Sequence, residues 1–166
     1  MNAEVLTPAK ANFHLTLWNA QAESTSSSEL YLWLRESGLP SEIAIRLQNF
    51  ISTTAKIGSS IICIGKIVLI KIIEFVKAHP NLVIGIAIGA AIGALVNMIP
   101  FLGTYLAPIA MTIGATMGAI AGHRIDKIEK GQVVNTGLIA VGQDIIEIAI
   151  EFFKLLINVF NTVFHS

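Results

Sequence analysis

Residues 80–122 read PNLVIGIAIGAAIGALVNMIPFLGTYLAPIAMTIGATMGAIAG, without one Asp, Glu, Lys, Arg or His. An uncharged run of this length calls for lipid or a fully buried core around it, because a solvated helix needs a polar face. Within it Gly85, Gly89 and Gly93 recur every fourth residue, and Gly114, Gly118 and Gly122 do so again. That spacing puts each trio on one helix face, where missing side chains let a second backbone come close. Pro100 and Gly103 interrupt the run within residues 98–104, so it reads as two helices and a turn. The spanning candidates are Asn81–Asn97 and Tyr105–Gly122, both near the shortest length that crosses roughly 30 Å of hydrocarbon. Pro108 fits the first turn of the second helix, where its missing N–H had no partner anyway.

Folded at Phe101–Leu102, the two helices bring Gly85 opposite Gly118, Gly89 opposite Gly114 and Gly93 opposite Ala110, with Asn81 opposite Gly122. Small residues thus meet small residues along the whole antiparallel seam. A general tolerance of glycine in membrane helices accounts for their number but not for this alignment. The same faces would also serve for packing against other copies. Lys66, Lys71 and Lys77 precede the hairpin and Arg124, Lys127 and Lys130 follow it, while the turn has no basic residue. The positive-inside tendency then keeps both flanks cytoplasmic and sends the turn across the membrane.

Composition agrees with that placement. Apolar residues make up 54% of the chain, and charged residues 13%, about half the usual share. Mean hydropathy is +0.70. These values suit a membrane protein, or a form that hides a hairpin until triggered. A net charge of zero removes the basic patch that nucleic-acid binding needs. Cys63 is the single cysteine, which excludes an intrachain disulfide and a cysteine-rich zinc site; in its apolar stretch it reads as a small core residue. Met1–Lys10 carries no basic start followed by an apolar stretch, so no cleavable signal is expected there.

Four segments follow. Residues 1–40 form a polar N-terminal segment with a short helix. There Phe13, Leu15 and Leu17 alternate with His14 and Thr16, which suggests a short strand. Ser26 with Glu29 has capping-box spacing, and a helix over 29–36 should stop at Ser37-Gly38-Leu39-Pro40. Its Tyr31 and Trp33 suit a lipid headgroup boundary or a neighbouring helix equally well. Residues 41–79 read as one long amphipathic helix capped by Ser41, with a polar stripe through Glu42, Arg46, Asn49, Thr53, Lys56 and Ser60. Lys66 and Lys71 would each cost about 2.5–3.5 kcal/mol at mid-bilayer, so 57–76 is expected to be interfacial or packed in protein. Residues 80–122 are the transmembrane hairpin. Residues 123–166 comprise a charged linker to Gly131 and a helix over 137–164. That helix has a narrow polar stripe of Asp144, Glu147, Glu151, Lys154, Asn158, Asn161 and His165. Its broad apolar remainder must lie in an interface, or pack in a bundle with the stripe toward solvent or a water-filled lumen.

No enzyme constellation emerges. His14, His79, His123 and His165 are scattered, with no pair at the i, i+4 spacing of a helical metal site. The glycines lack the strand–loop–helix setting and the lysine of a phosphate-binding loop. Asp144, Glu147 and Glu151 share one helix face and read as a solvated or lumenal surface. No enzymatic activity, cofactor or metal is therefore expected.

The two Gly-x-x-x-Gly-x-x-x-Gly runs, Gly85–Gly93 and Gly114–Gly122, look like the glycine zippers of small membrane-active proteins. The uncharged 80–122 pair resembles, in outline, the hydrophobic helical hairpin of colicin-type pore formers. The resemblance implies a bacterial protein of the cytoplasmic membrane that self-associates and forms a pore or otherwise permeabilises the bilayer. The expected fold is all-α: a membrane helical hairpin flanked by long amphipathic helices, in an oligomer. Two other readings stay open, a non-conducting scaffold that shapes the membrane and a subunit of a larger membrane complex.

Overall fold

A computed structural model of the chain describes residues 6–113 and 145–164. Helix dominates it. Helix α1 spans Pro8–Ser24, α2 Ser27–Glu36 and α3 Ser41–Phe50; strands β1 Ala55–Ile57 and β2 Ser60–Ile62 follow, then α4 Ile64–Ala78 and α5 Ile84–Met98. Helix α6 covers 100–113, α7 covers 145–152, and α8 Lys154–Phe164 ends the described chain. The predominantly helical expectation holds, with one small β-hairpin added.

Local chemistry explains most boundaries. Thr7 caps α1 by accepting from the Lys10 N–H, and Pro8 opens the helix where no N–H is needed. The short strand expected at 13–17 is therefore replaced by helix. Ala11, Leu15 and Ala22 are buried at helical spacing, and burying them outweighs the local alternation of Phe13, Leu15 and Leu17. Ser26 accepts from the Glu29 N–H at 3.0 Å, as its spacing predicts. Ser26→Ala should cost about 1 kcal/mol, read as a lower midpoint in urea unfolding. After Ser37, Gly38 takes φ +89° and ends α2.

The single long helix expected over 41–79 is not formed. Pro40, not Ser41, occupies the N-cap position of α3, with no side-chain cap. Helix α3 ends at Phe50, and Thr53 N–H donates back to the Phe50 carbonyl at 2.9 Å. The chain then makes an antiparallel hairpin, Ala55 opposite Ile62 and Ile57 opposite Ser60. Its two-residue loop begins at Gly58, φ +61°; either tight hairpin turn needs a positive φ there. Asn19 of α1 holds β2 and the residue after it: its Nδ2 donates to the Ile61 carbonyl at 3.1 Å and its Oδ1 accepts from Cys63 N–H at 2.7 Å.

Helix α4 is the hub. It packs against α1, α2, α3 and α5, and buries Ile64, Ile67, Val68, Leu69, Ile72, Ile73 and Phe75. Two of its lysines, Lys66 and Lys71, reach back to α1. Lys66 Nζ donates to the Thr25 carbonyl past the end of α1 at 2.9 Å, and Lys71 Nζ sits 4.8 Å from the Trp18 ring centre. Lys66 and Lys71 are thus half-buried against neighbouring protein.

The uncharged hairpin is realised as α5 and α6, joined at Ile99 alone. The second helix starts at residue 100, not at Tyr105. Pro100 sits at the helix start, where proline is tolerated, and Gly103 is accommodated inside the helix. Among the described residues no helix is long and apolar enough to cross a membrane. Helix α5 has 15 residues. At about 1.5 Å per residue it measures roughly 22 Å. The helix expected over 137–164 is described from 145 and is interrupted at Phe153, although Ile157 N–H still donates to the Phe153 carbonyl at 2.8 Å.

Candidate functional site

Helix α5 carries one polar side chain, Asn97, near its C-terminal end. A helix that is apolar all round is stable in water only when other elements surround it. Here Ala87, Ile88, Ala91, Ile92, Ala94 and Leu95 are buried. Helix α4 packs against α5, and α6 returns to bring Ile113 near Gly89, burying Leu102, Leu106, Ile109 and Ile113 at helical spacing. Among the described residues no polar or charged side chain is buried, so the core around the hairpin is apolar throughout.

Two aromatic contacts hold α7 and α8 to this core. At the open end, Phe75 of α4 lies 5.3 Å from Phe152 and 5.4 Å from Phe153 between ring centres. His79, whose Nδ1 is 2.9 Å from the Phe75 carbonyl oxygen, packs on Phe75 with ring centres 4.4 Å apart and planes tilted by 39°. At the turn, Phe164 stacks on Phe101 at 4.3 Å with planes 9° apart, and Asn161 Nδ2 donates to the Met98 carbonyl at 2.8 Å. Helix α8 therefore runs from the mouth of the hairpin to its turn, with α1 against its side.

The glycine positions are placed as follows. Gly85, Gly89, Gly93 and Ala110 are half-buried. A Cβ added at Gly89 would sit 3.4 Å from Ile113 Cγ2, a side-chain contact one residue from the expected partner. At Gly93 an added Cβ meets nothing within 4 Å among the described residues, so the backbone approach expected opposite Ala110 is not drawn tight there. The fully buried small residues of α5 are its alanines, not its glycines. Gly114, Gly118, Gly122 and Asp144 lie outside the described residues, as does His165.

In the polar stripe, Glu147, Glu151, Lys154 and Asn158 are exposed on α7 and α8, while Asn161 is half-buried and occupied with Met98. Three apolar neighbours, Ile148, Phe152 and Leu155, share that exposure. Sequence reasoning missed the aromatic clamps. Phe152 and Phe153, adjacent in an Ile-rich helix, were the one local signal of the first; nothing local linked Asn161 and Phe164 to a turn some sixty positions earlier. Among the described residues no group of His, Cys, Asp and Glu could hold a metal ion. Comparison with protein-family models, with curated proteins and with solved structures finds no match for this chain.

Proposed function

We propose that the chain is a self-associating membrane protein that carries α5–α6 inside a helical sheath and permeabilises a bilayer once lipid replaces that sheath. The observation that supports this most is that an uncharged helix is packed, among the described residues, against a core with no buried polar or charged side chain. Exchanging apolar side chains for acyl chains strands no buried polar group, and the helix backbone satisfies its own hydrogen bonds in either setting. A soluble core gains nothing from excluding every charged residue over so long a stretch; a segment bound for hydrocarbon must.

An inserted α5 is shorter than the roughly 30 Å hydrocarbon layer. Insertion would therefore extend the helix through Leu82 and Val83, or thin the bilayer locally. The glycine faces, Gly85 to Gly93 and Gly114 to Gly122, would then form the contact within or between copies. The stripe of Glu147, Glu151, Lys154, Asn158 and Asn161, preceded by Asp144, would rest at the headgroup level or face a conduit between copies. The basic flanks would remain cytoplasmic.

A non-conducting scaffold is the second reading, favoured by one feature: α5 has no polar side chain at depth, where a conducting helix usually carries some. Dye-loaded vesicles separate the two. A permeabilising protein releases small dyes at low protein-to-lipid ratios; a scaffold changes vesicle curvature and leaves the dye inside.

A further inference from the structure

An open groove of about 210 Å³ between the end of α3 and α6 is lined by Arg46, Asn49, Thr53 and Tyr105 together with Phe50, Pro108 and Ile109. Among the described residues this lining holds a guanidinium, an amide, a hydroxyl and a phenol, all able to donate hydrogen bonds, and no carboxylate. Among the described residues Arg46 makes no ion pair; Glu42, one turn earlier on α3, does not come within 4.0 Å of it. A planar guanidinium fork beside neutral donors matches the oxygens of a phosphate, and the lack of carboxylates argues against a cation. Pro108 also lines the groove, and one turn further along the exposed side of α6 lies Met111, 74% exposed. A polar groove with the exposed thioether of Met111 nearby pairs a site for a phosphate with an apolar contact for the chain that a phospholipid carries.

We propose that the α3–α6 groove binds the headgroup phosphate of an anionic phospholipid and docks the sheathed fold on the bilayer beside its hairpin. This deepens the membrane-active reading and rests on it. Tyr105 would stand at the headgroup boundary, a level that amphipathic aromatic rings favour. Docking there would bring α6, the second arm of the hairpin, to the lipid before the sheath opens.

Co-sedimentation of the full chain with vesicles tests this. On vesicles containing phosphatidylglycerol, Arg46→Gln should bind about tenfold more weakly than wild type. On pure phosphatidylcholine the two should bind alike. Arg35→Gln removes the same charge from an exposed arginine outside the groove, and should change binding little. Equal losses for the two variants would reduce the effect to bulk attraction and overturn the site. A short-chain phosphatidylglycerol should displace vesicles far better than inorganic phosphate; equal displacement would assign the groove to free phosphate and overturn the lipid assignment. Dye release, read separately, keeps the two claims apart. Arg46-dependent binding without leakage upholds the groove and overturns the permeabilising reading. Leakage from Arg46→Gln at wild-type affinity overturns the groove alone.

Discussion

Gly65→Ala should destabilise the fold by about 3 kcal/mol, lowering the thermal midpoint by roughly 6–12 °C. An added Cβ would collide with the Phe50 carbonyl oxygen, and would lie 2.8 Å from the Ile51 carbonyl oxygen and 2.9 Å from its carbon. These are main-chain atoms, so no rotamer change relieves the clash. Nor is that main chain free to retreat. Ile51 N–H donates to the Leu47 carbonyl, Thr53 N–H to the Phe50 carbonyl, and Gly65 N–H itself to the Thr53 carbonyl at 3.0 Å. Moving α4 away from α3 would break that junction and open the core at Ile64 and Ile67. Gly103→Ala is the control: an added Cβ there meets nothing within 4 Å. It should be neutral, or stabilising by up to about 1 kcal/mol through helix propensity. Thermal melts followed by circular dichroism measure both.

Phe75→Ala should cost about 3–5 kcal/mol, the usual range for emptying a buried aromatic site. The ring is fully buried and touches His79, Phe152 and Phe153, so its loss leaves a void between α4 and the α7–α8 arm. The functional consequence has the opposite sign. A sheath held less tightly at the mouth of the hairpin should open more readily, so dye release per bound molecule should rise even as the free protein weakens. Urea unfolding measures the first effect and vesicle leakage the second. Loss of stability with unchanged or slower leakage would show that opening at this end does not limit insertion.

The parts of the fold governed by local chemistry were readable in advance. Ser26 and Glu29 marked the start of α2, Gly38 its end, and Pro80 the end of α4. The division of the uncharged run into two helices was legible from Pro100 and Gly103, although the second helix begins at 100 and not at Tyr105. The break at 51–63 was hidden because Thr53, Lys56 and Ser60 continue a helical polar stripe; only the β-branched Thr53-Thr54 pair and Gly58 spoke against it, and both are weak signals inside a strong period. Helix α1 was hidden for the reverse reason, since alternation at 13–17 masked buried residues at 11, 15 and 22. As for the candidate site, hydropathy identified the helix that needs cover but not its cover. Lys66 on the Thr25 carbonyl, Asn161 on Met98 and Phe75 on Phe153 join residues distant in sequence, and no periodicity encodes such pairs.

Transfer of α5 from its sheath into lipid is most directly read from a spin label at Gly93, where a side chain has open space, in a chain with Cys63→Ser and Gly93→Cys. In buffer the label should be reached moderately by a water-soluble nickel complex. With anionic vesicles it should become shielded from nickel, as a site deep in hydrocarbon or in a helix contact there is. Unchanged accessibilities on fully vesicle-bound protein would contradict the account, because the hairpin would then have stayed inside its sheath.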